Sequence, residues 1–298
     1  VTALSHMPIK FQERPVQERP MTRRRDVLAL ALAAAAAAAG PSPVAAQGET
    51  SLDRIKRSGR LRIGVTSAEP WFFKDPMAGT WSGVGIDLGT ALAGDLGVTM
   101  VPVETSWANC VAAIQADQID VMFVLDPTEE RRKAIDFPDS PLFYYAAGAL
   151  VRPDQTATAW SDLDKPGIRI GVTLGTSVDR MVTETLKAAS ISRFSNNDEA
   201  VAAFAAKRVD AVAQFHPALV VQYARLKLGK VVLMKPVTPV ATSAGIRRDA
   251  DPAFRTWLGE RFAALYAAGK PQDSFAAYLR TRGIDPATVP GLAREKWV

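Results

Sequence analysis

Apolar residues along this chain alternate between two periods. LRIGVT (61–66), VTMVPVE (98–104) and IDVMFVL (119–125) are short runs rich in β-branched residues and predict strands. Between them, IDLGTALAGDLG (86–97) and WANCVAAIQADQ (107–118) place apolar residues at helical spacing. The rhythm restarts at IRIGVTLG (168–175). It continues through the helical TSVDRMVTETLKAA, the strand-like ISRFS, the helical NDEAVAAFAAKR, the strand VDAVAQF (209–215) and a helix through PALVVQYARLKLG. Strands alternating with helices of this length predict βαβ units, hence an α/β protein whose sheets are mainly parallel and flanked by helices. RIGVT stands at 62–66 and again at 169–173, which suggests two similar lobes.

Between the halves, FYYAAGALVRPD (143–154) reads as an extended crossing, and VATSAGIRRDADP (240–252) reads as the return, with helices at 252–268 and 272–282 behind it. No Ser/Gly-rich tether separates the halves, so two extended crossings join the lobes and form a hinge. The expected division is residues 47–150 and 245–298 in lobe 1 and residues 151–244 in lobe 2.

Composition narrows the function. The chain has 298 residues, 48% hydrophobic and 22% charged, which suits a globular protein with a core of its own. Its single cysteine, Cys110, excludes an internal disulfide, and with only His6 and His216 as histidines a metal centre is not expected. The net charge of +5 would suit a polyanionic partner, but the first 46 residues carry six of the basic residues and three of the acidic ones. The remainder is nearly neutral and has no basic stripe, so nucleic acid is not an expected partner.

From Met21 the chain reads MTRRRDVLALALAAAAAAAGPSPVAAQ: a basic start, an apolar stretch rich in Leu and Ala, then small residues before Gln47. This is the layout of a cleaved signal peptide over 21–46. Arg24-Arg25-Asp26-Val27-Leu28 resembles a twin-arginine signal with Val27 in place of the usual Phe, so Tat and Sec export both stay open. Residues 1–20, with their doubled QERP, read as a leader outside the fold. The expected location is the periplasm.

Ligands of open α/β sheets sit where strands end and loops turn into helices. Three stretches take that position: TSAEPWFF, DPTEER and TLGTSVD. In DPTEER (126–131), Arg131 can fork onto a carboxylate, or it and Arg132 can simply decorate a solvated turn. In TLGTSVD, Gly175 permits a tight turn, and Thr176 with Asp179 three residues later resembles a capping box. That helix start can hold an anion or be a plain cap. Trp107 can stack on a ligand or pack in the core. The glycines of GVGIDLG (83–89) miss the dinucleotide-binding spacing by one residue.

With these segments in view, the chain resembles the periplasmic solute-binding proteins of ABC importers for polar amino acids, family 3 of the solute-binding proteins. The resemblance covers nearly all of residues 51–285. It rests on LRIGVT with the aromatic loop PWFFKDP, G-x-x-x-DLGTALA, W-x-N, QIDVMF, T-x-x-R followed by DFPDSPLFY, the GT loop and K-R-VDAV. It implies the two-lobed periplasmic binding protein fold, a monomer without a cofactor, and a small carboxylate ligand delivered to an ABC permease in the inner membrane. It also implies that Arg131 clamps the ligand carboxylate, helped by Thr176 and Ser177, and that Trp107 covers the ligand.

Two positions depart from the family pattern. Phe215 stands where an acid usually holds the ligand ammonium, and Asp126 stands where a Ser or Thr hydroxyl usually touches it. A buried ammonium without an anion is very costly, so Asp126 replaces the lost acid or the ligand lacks the amine. Alternatively, Asp126 pairs with Arg131 or caps the 128–132 turn. Glu69 is a further candidate ligand-facing residue or a surface acid. Some relatives are periplasmic dehydratases of the cyclohexadienyl type, for which Asp126, Glu69 or His216 could serve as acid or base. An accessory or sensor role on the same fold is the other alternative.

Overall fold

The computed structural model describes residues 49–249 and 251–293; the leader and signal-peptide segments lie outside the described residues. Twelve strands occur among the described residues: β1 (Arg60–Val65), β2 (Phe73–Lys74), β3 (Trp81–Ser82), β4 (Thr99–Glu104), β5 (Val121–Leu125), β6 (Phe143–Tyr145), β7 (Ala147–Val151), β8 (Arg169–Thr173), β9 (Ser190–Phe194), β10 (Ala211–Phe215), β11 (Lys230–Leu233) and β12 (Val240–Ile246). They build two five-stranded sheets, ordered β4-β1-β5-β12-β6 and β11-β7-β10-β8-β9, with β2 and β3 as a small hairpin. In each sheet the three βαβ strands run parallel. The crossing strands β12 and β7 then add antiparallel on the far side of β5 and β10.

Read from the same end, the two sheets are one design used twice. β1 and β8, which carry the repeated RIGVT, hold the same place in their sheets. At the start of each, the same ion pair ties the strand to its neighbour. The backbone N–H and guanidinium of Arg62 reach the carboxylate of Asp120 just before β5. Those of Arg169 reach Asp210 just before β10 in the same way. Both pairs lock the N-terminal ends of the parallel strands, leaving the C-terminal ends to carry the loops. β5 and β10 are buried at every residue, as strands covered on both faces must be.

The chain changes sheets at Ala146, between β6 in the first sheet and β7 in the second, and returns between β11 and β12. The expected boundaries at 150 and 245 therefore shift, because Ala147–Val151 pairs in the second sheet and Val240–Ile246 in the first. Residues 143–151 read as one extended run, with no Pro, Asn or Asp to mark the change of partner. The helix expected from Trp107 starts at Cys110, after a turn in which Asn109 N–H donates to the Ser106 hydroxyl (3.2 Å). The hairpin β2–β3 and the edge strand β11 are too short to show a period in the sequence.

Candidate functional site

The C-terminal ends of β5 and β10 face one another across the hinge and line a cavity of about 30 Å³. Trp71, Trp107, Val124, Asp126, Arg131 and Tyr145 come from the first lobe; Thr176, Ser177, Asn197, Gln214 and Phe215 come from the second.

The loop after β5 holds the charges. Val124 adopts a left-handed backbone (φ 60°), which a β-branched residue avoids, at the point where pairing with β12 slips by one residue. The resulting bulge turns the strand end so that Asp126 and Arg131 both enter the cleft. Thr128 caps the helix Glu129–Ala134, its hydroxyl accepting from the Arg131 N–H at 3.3 Å. Arg131 is 8% exposed and donates to the Asp126 carbonyl (3.0 Å) and, across the cleft, to the Gly175 carbonyl (2.8 Å). It is thus a buried cleft residue, unlike the exposed Arg132 beside it. Two of its five N–H groups go to backbone carbonyls, and the rest suit a bidentate carboxylate.

Asp126 is 6% exposed and receives two hydroxyl donors, Tyr145 at 2.5 Å and Ser177 from the opposite lobe. Burial pushes its carboxyl above the usual range, against the Ser177, Tyr145 and Thr242 hydroxyls and the Arg131 charge, which favour the anion. The anion has four lone-pair directions, so acceptor capacity remains beyond these donors.

The second lobe contributes a loop and a floor. Gly175 has φ 78°, and a Cβ there would lie 2.6 Å from the Ala108 Cα, so only glycine lets the two lobes approach this closely. Thr176 caps the helix Ser177–Thr185: its hydroxyl donates to the Thr173 carbonyl (2.8 Å) and accepts from the Asp179 N–H (3.1 Å). Its hydroxyl serves the helix, whereas that of Ser177 reaches into the site. Phe215 lies flat against Tyr145, with ring centroids 3.6 Å apart and an interplanar angle of 4°. Trp107 is 7% exposed, packs on Phe72 and lines the cavity.

Glu69 and His216 stand elsewhere. Glu69 lines a separate cavity, pairing with Arg282 at 3.2 Å and standing 4.0 Å from Arg225. His216 is buried at the hinge, where the Ala146 N–H donates to Nδ1 (3.2 Å) and Nε2 lies 2.9 Å from the Pro290 carbonyl. That pair of contacts puts the ring proton on Nε2, and burial lowers the pKa to about 4. Of the three acid–base candidates, only Asp126 lines the cavity between the β5 and β10 ends.

Trp71, Tyr145, Asn197 and Gln214 line the site without having been singled out. Trp71 and Tyr145 belong to aromatic runs in which no periodicity distinguishes one ring from its neighbours. Gln214 is the strongest missed signal, because a polar residue at the end of a buried strand needs a polar purpose. It bonds Asn197 (3.3 Å), which also accepts from the Thr173 hydroxyl (2.8 Å).

The profile described as "Bacterial extracellular solute-binding proteins, family 3" matches residues 61–281. The L-cystine-binding protein TcyJ of Escherichia coli (strain K12) is 25% identical over 165 residues, which is 55% of this chain and 62% of that protein. The cyclohexadienyl dehydratase of Pseudomonas aeruginosa is 30% identical over 148 residues, 48% of this chain and 54% of that enzyme. These alignments span less than two thirds of the relatives' lengths. Among solved structures, an ancestral amino acid-binding protein, a precursor of cyclohexadienyl dehydratase, superimposes with a TM-score of 0.68 at 30% identity, covering 78% of this chain and 99% of that one.

Proposed function

Because this chain belongs to family 3 of the bacterial extracellular solute-binding proteins, we propose that it binds an amino acid or close derivative between its lobes and delivers it to an ABC permease. Export by a cleaved signal peptide places it in the periplasm, and it works as a monomer without a cofactor. The observation that carries this reading is the buried pair Asp126 and Arg131 on one strand-end loop, each already met by a group from the opposite lobe. A zwitterion neutralises both: its carboxylate forks onto Arg131, and its ammonium takes the open lone pairs of Asp126. Contacts from both lobes exist only when the cleft is shut, so binding selects the closed form.

Binding rather than turnover is favoured by the lack of a second carboxyl or imidazole beside Asp126 among the described residues. Glu69 is held by arginines and His216 by the hinge, so among the described residues no second carboxyl or imidazole lines the cavity.

Arg131→Ala tests the reading by calorimetry against the common α-amino acids. Affinity is expected to fall by a hundredfold or more while thermal unfolding stays cooperative. Arg131→Lys recovers only part of it, because a point charge cannot fork. Unchanged affinity in Arg131→Ala would overturn the assignment.

A further inference from the structure

We infer that the site selects a compact zwitterion with an uncharged side chain, of about the size of glycine, alanine, serine or cysteine; this rests on the amino-acid reading above.

The first ground is charge. Among the described residues lining the cavity, the one carboxyl is that of Asp126 and the one guanidinium that of Arg131, and both are assigned to the ligand's own two charges. Everything else facing the ligand is aromatic, aliphatic, hydroxyl or amide. A third charge on the ligand would enter a buried space with no counter-charge, which is strongly unfavourable.

The second ground is size. A cavity of about 30 Å³ is smaller than any amino acid, so every ligand opens the cleft to some degree and each further side-chain atom opens it more. Trp71 stacks on Phe143 (5.1 Å) and meets Tyr145 edge-on (5.9 Å). Tyr145 in turn is stacked on Phe215, and all four rings are buried. The Tyr145–Phe215 pair also stands beside the change of sheets at Ala146, with Phe215 in register with Ala147 of β7, so hinge motion hardly separates the two rings. Room for any ligand comes from parting the lobes, and a larger ligand needs more of it. Parting them lengthens the Arg131 bond to Gly175 and the Ser177 bond to Asp126, which join the two sides. Closure itself stops where Gly175 meets the Ala108 backbone. A compact ligand disturbs these contacts least, and each added side-chain atom works against them.

The test is a calorimetric panel on the exported protein at neutral pH: glycine, L-alanine, L-serine and L-cysteine against L-glutamine, L-arginine, L-glutamate and L-cystine, with propionate as an amine-free acid. The compact uncharged members are expected to bind at least tenfold tighter than arginine, glutamate or cystine. Trp107→Ala, which removes a wall without touching a charge, is expected to raise the affinity for glutamine relative to alanine by about tenfold. Arginine, glutamate or cystine binding as tightly as alanine, with that binding abolished by Arg131→Ala, would overturn the selectivity and leave the amino-acid reading standing. Silence across all the amino acids would overturn both. Propionate binding as well as alanine, unchanged in Asp126→Asn, would overturn the role of Asp126 as the ammonium partner.

Discussion

Asp126 holds its carboxyl where little water reaches it, and its protonation follows from that. Its folded-state pKa lies above the value in the unfolded chain, with burial the leading cause. Its contribution to stability is therefore complete at pH values below the unfolded carboxylate range and is lost as pH rises through the raised folded value. Asp126→Asn removes that loss. The variant is expected to match the parent in acid and to melt a few degrees higher at pH 7.5, as read by thermal unfolding across pH. A variant that melts lower at neutral pH would mean that the Tyr145 and Ser177 hydroxyls outweigh desolvation. The same substitution is expected to weaken amino-acid binding, so stability and affinity move in opposite directions. Asp126 and Arg131 were legible in the sequence because an acid, a proline and a capping threonine directly follow a buried strand. Glu69 was legible only as an oddity, since its arginine partner Arg282 lies 213 residues away.

At the scale of elements, the site depends on two irregular backbone segments placed at regular strand ends. One is the bulge at Val124, and the other is the turn at Gly175. Gly175→Ala places a methyl group against the Ala108 backbone and forces φ 78° on a residue that disfavours it. Because that collision occurs between lobes, its expected effect is on closure: affinity for the preferred amino acid falls by tenfold or more through a faster off-rate, measured by stopped-flow tryptophan fluorescence. Unfolding free energy is expected to fall only by the local backbone cost, about 1 kcal/mol. The glycine itself could be recognised in TLGTSVD, but not the residue it would meet, because Ala108 lies in another lobe and in a turn that the apolar pattern reads as helix. The bulge was hidden for a similar reason: IDVMFVL looks like an unbroken strand, and the slip appears only against its partner β12.

For the whole molecule, the hinge is where the fold and the chain's last described segment meet. His216 accepts from Ala146, the residue at which the chain changes sheets, and donates to Pro290 near the end of the described chain. Its pKa is lowered by burial to about 4, so its stabilising contribution is full above the unfolded value near 6.5 and lost as pH falls towards 4. That difference corresponds to about 3 kcal/mol. Unfolding free energy is expected to decline over this window, and His216→Gln is expected to flatten the decline. An unchanged slope in the variant would assign the acid sensitivity elsewhere. The two-lobed fold was legible because its grammar occurs twice, down to the repeated RIGVT and to the arginine and aspartate at its edges. The points of crossing were not, since a strand that changes sheets keeps the same residue preferences on both sides of the change.

The two crossings also set an order of assembly. All five strands of the second sheet lie within one continuous stretch, from β7 to β11, whereas the first sheet receives β12 only after the second is complete in the chain. In a chain delivered N-terminus first, the second lobe has all its strands while β5 still shows an open edge and β6 has no neighbour. The later lobe in sequence is thus the earlier one to be finished, and the strand that carries the binding loop is the one left longest to find wrong partners.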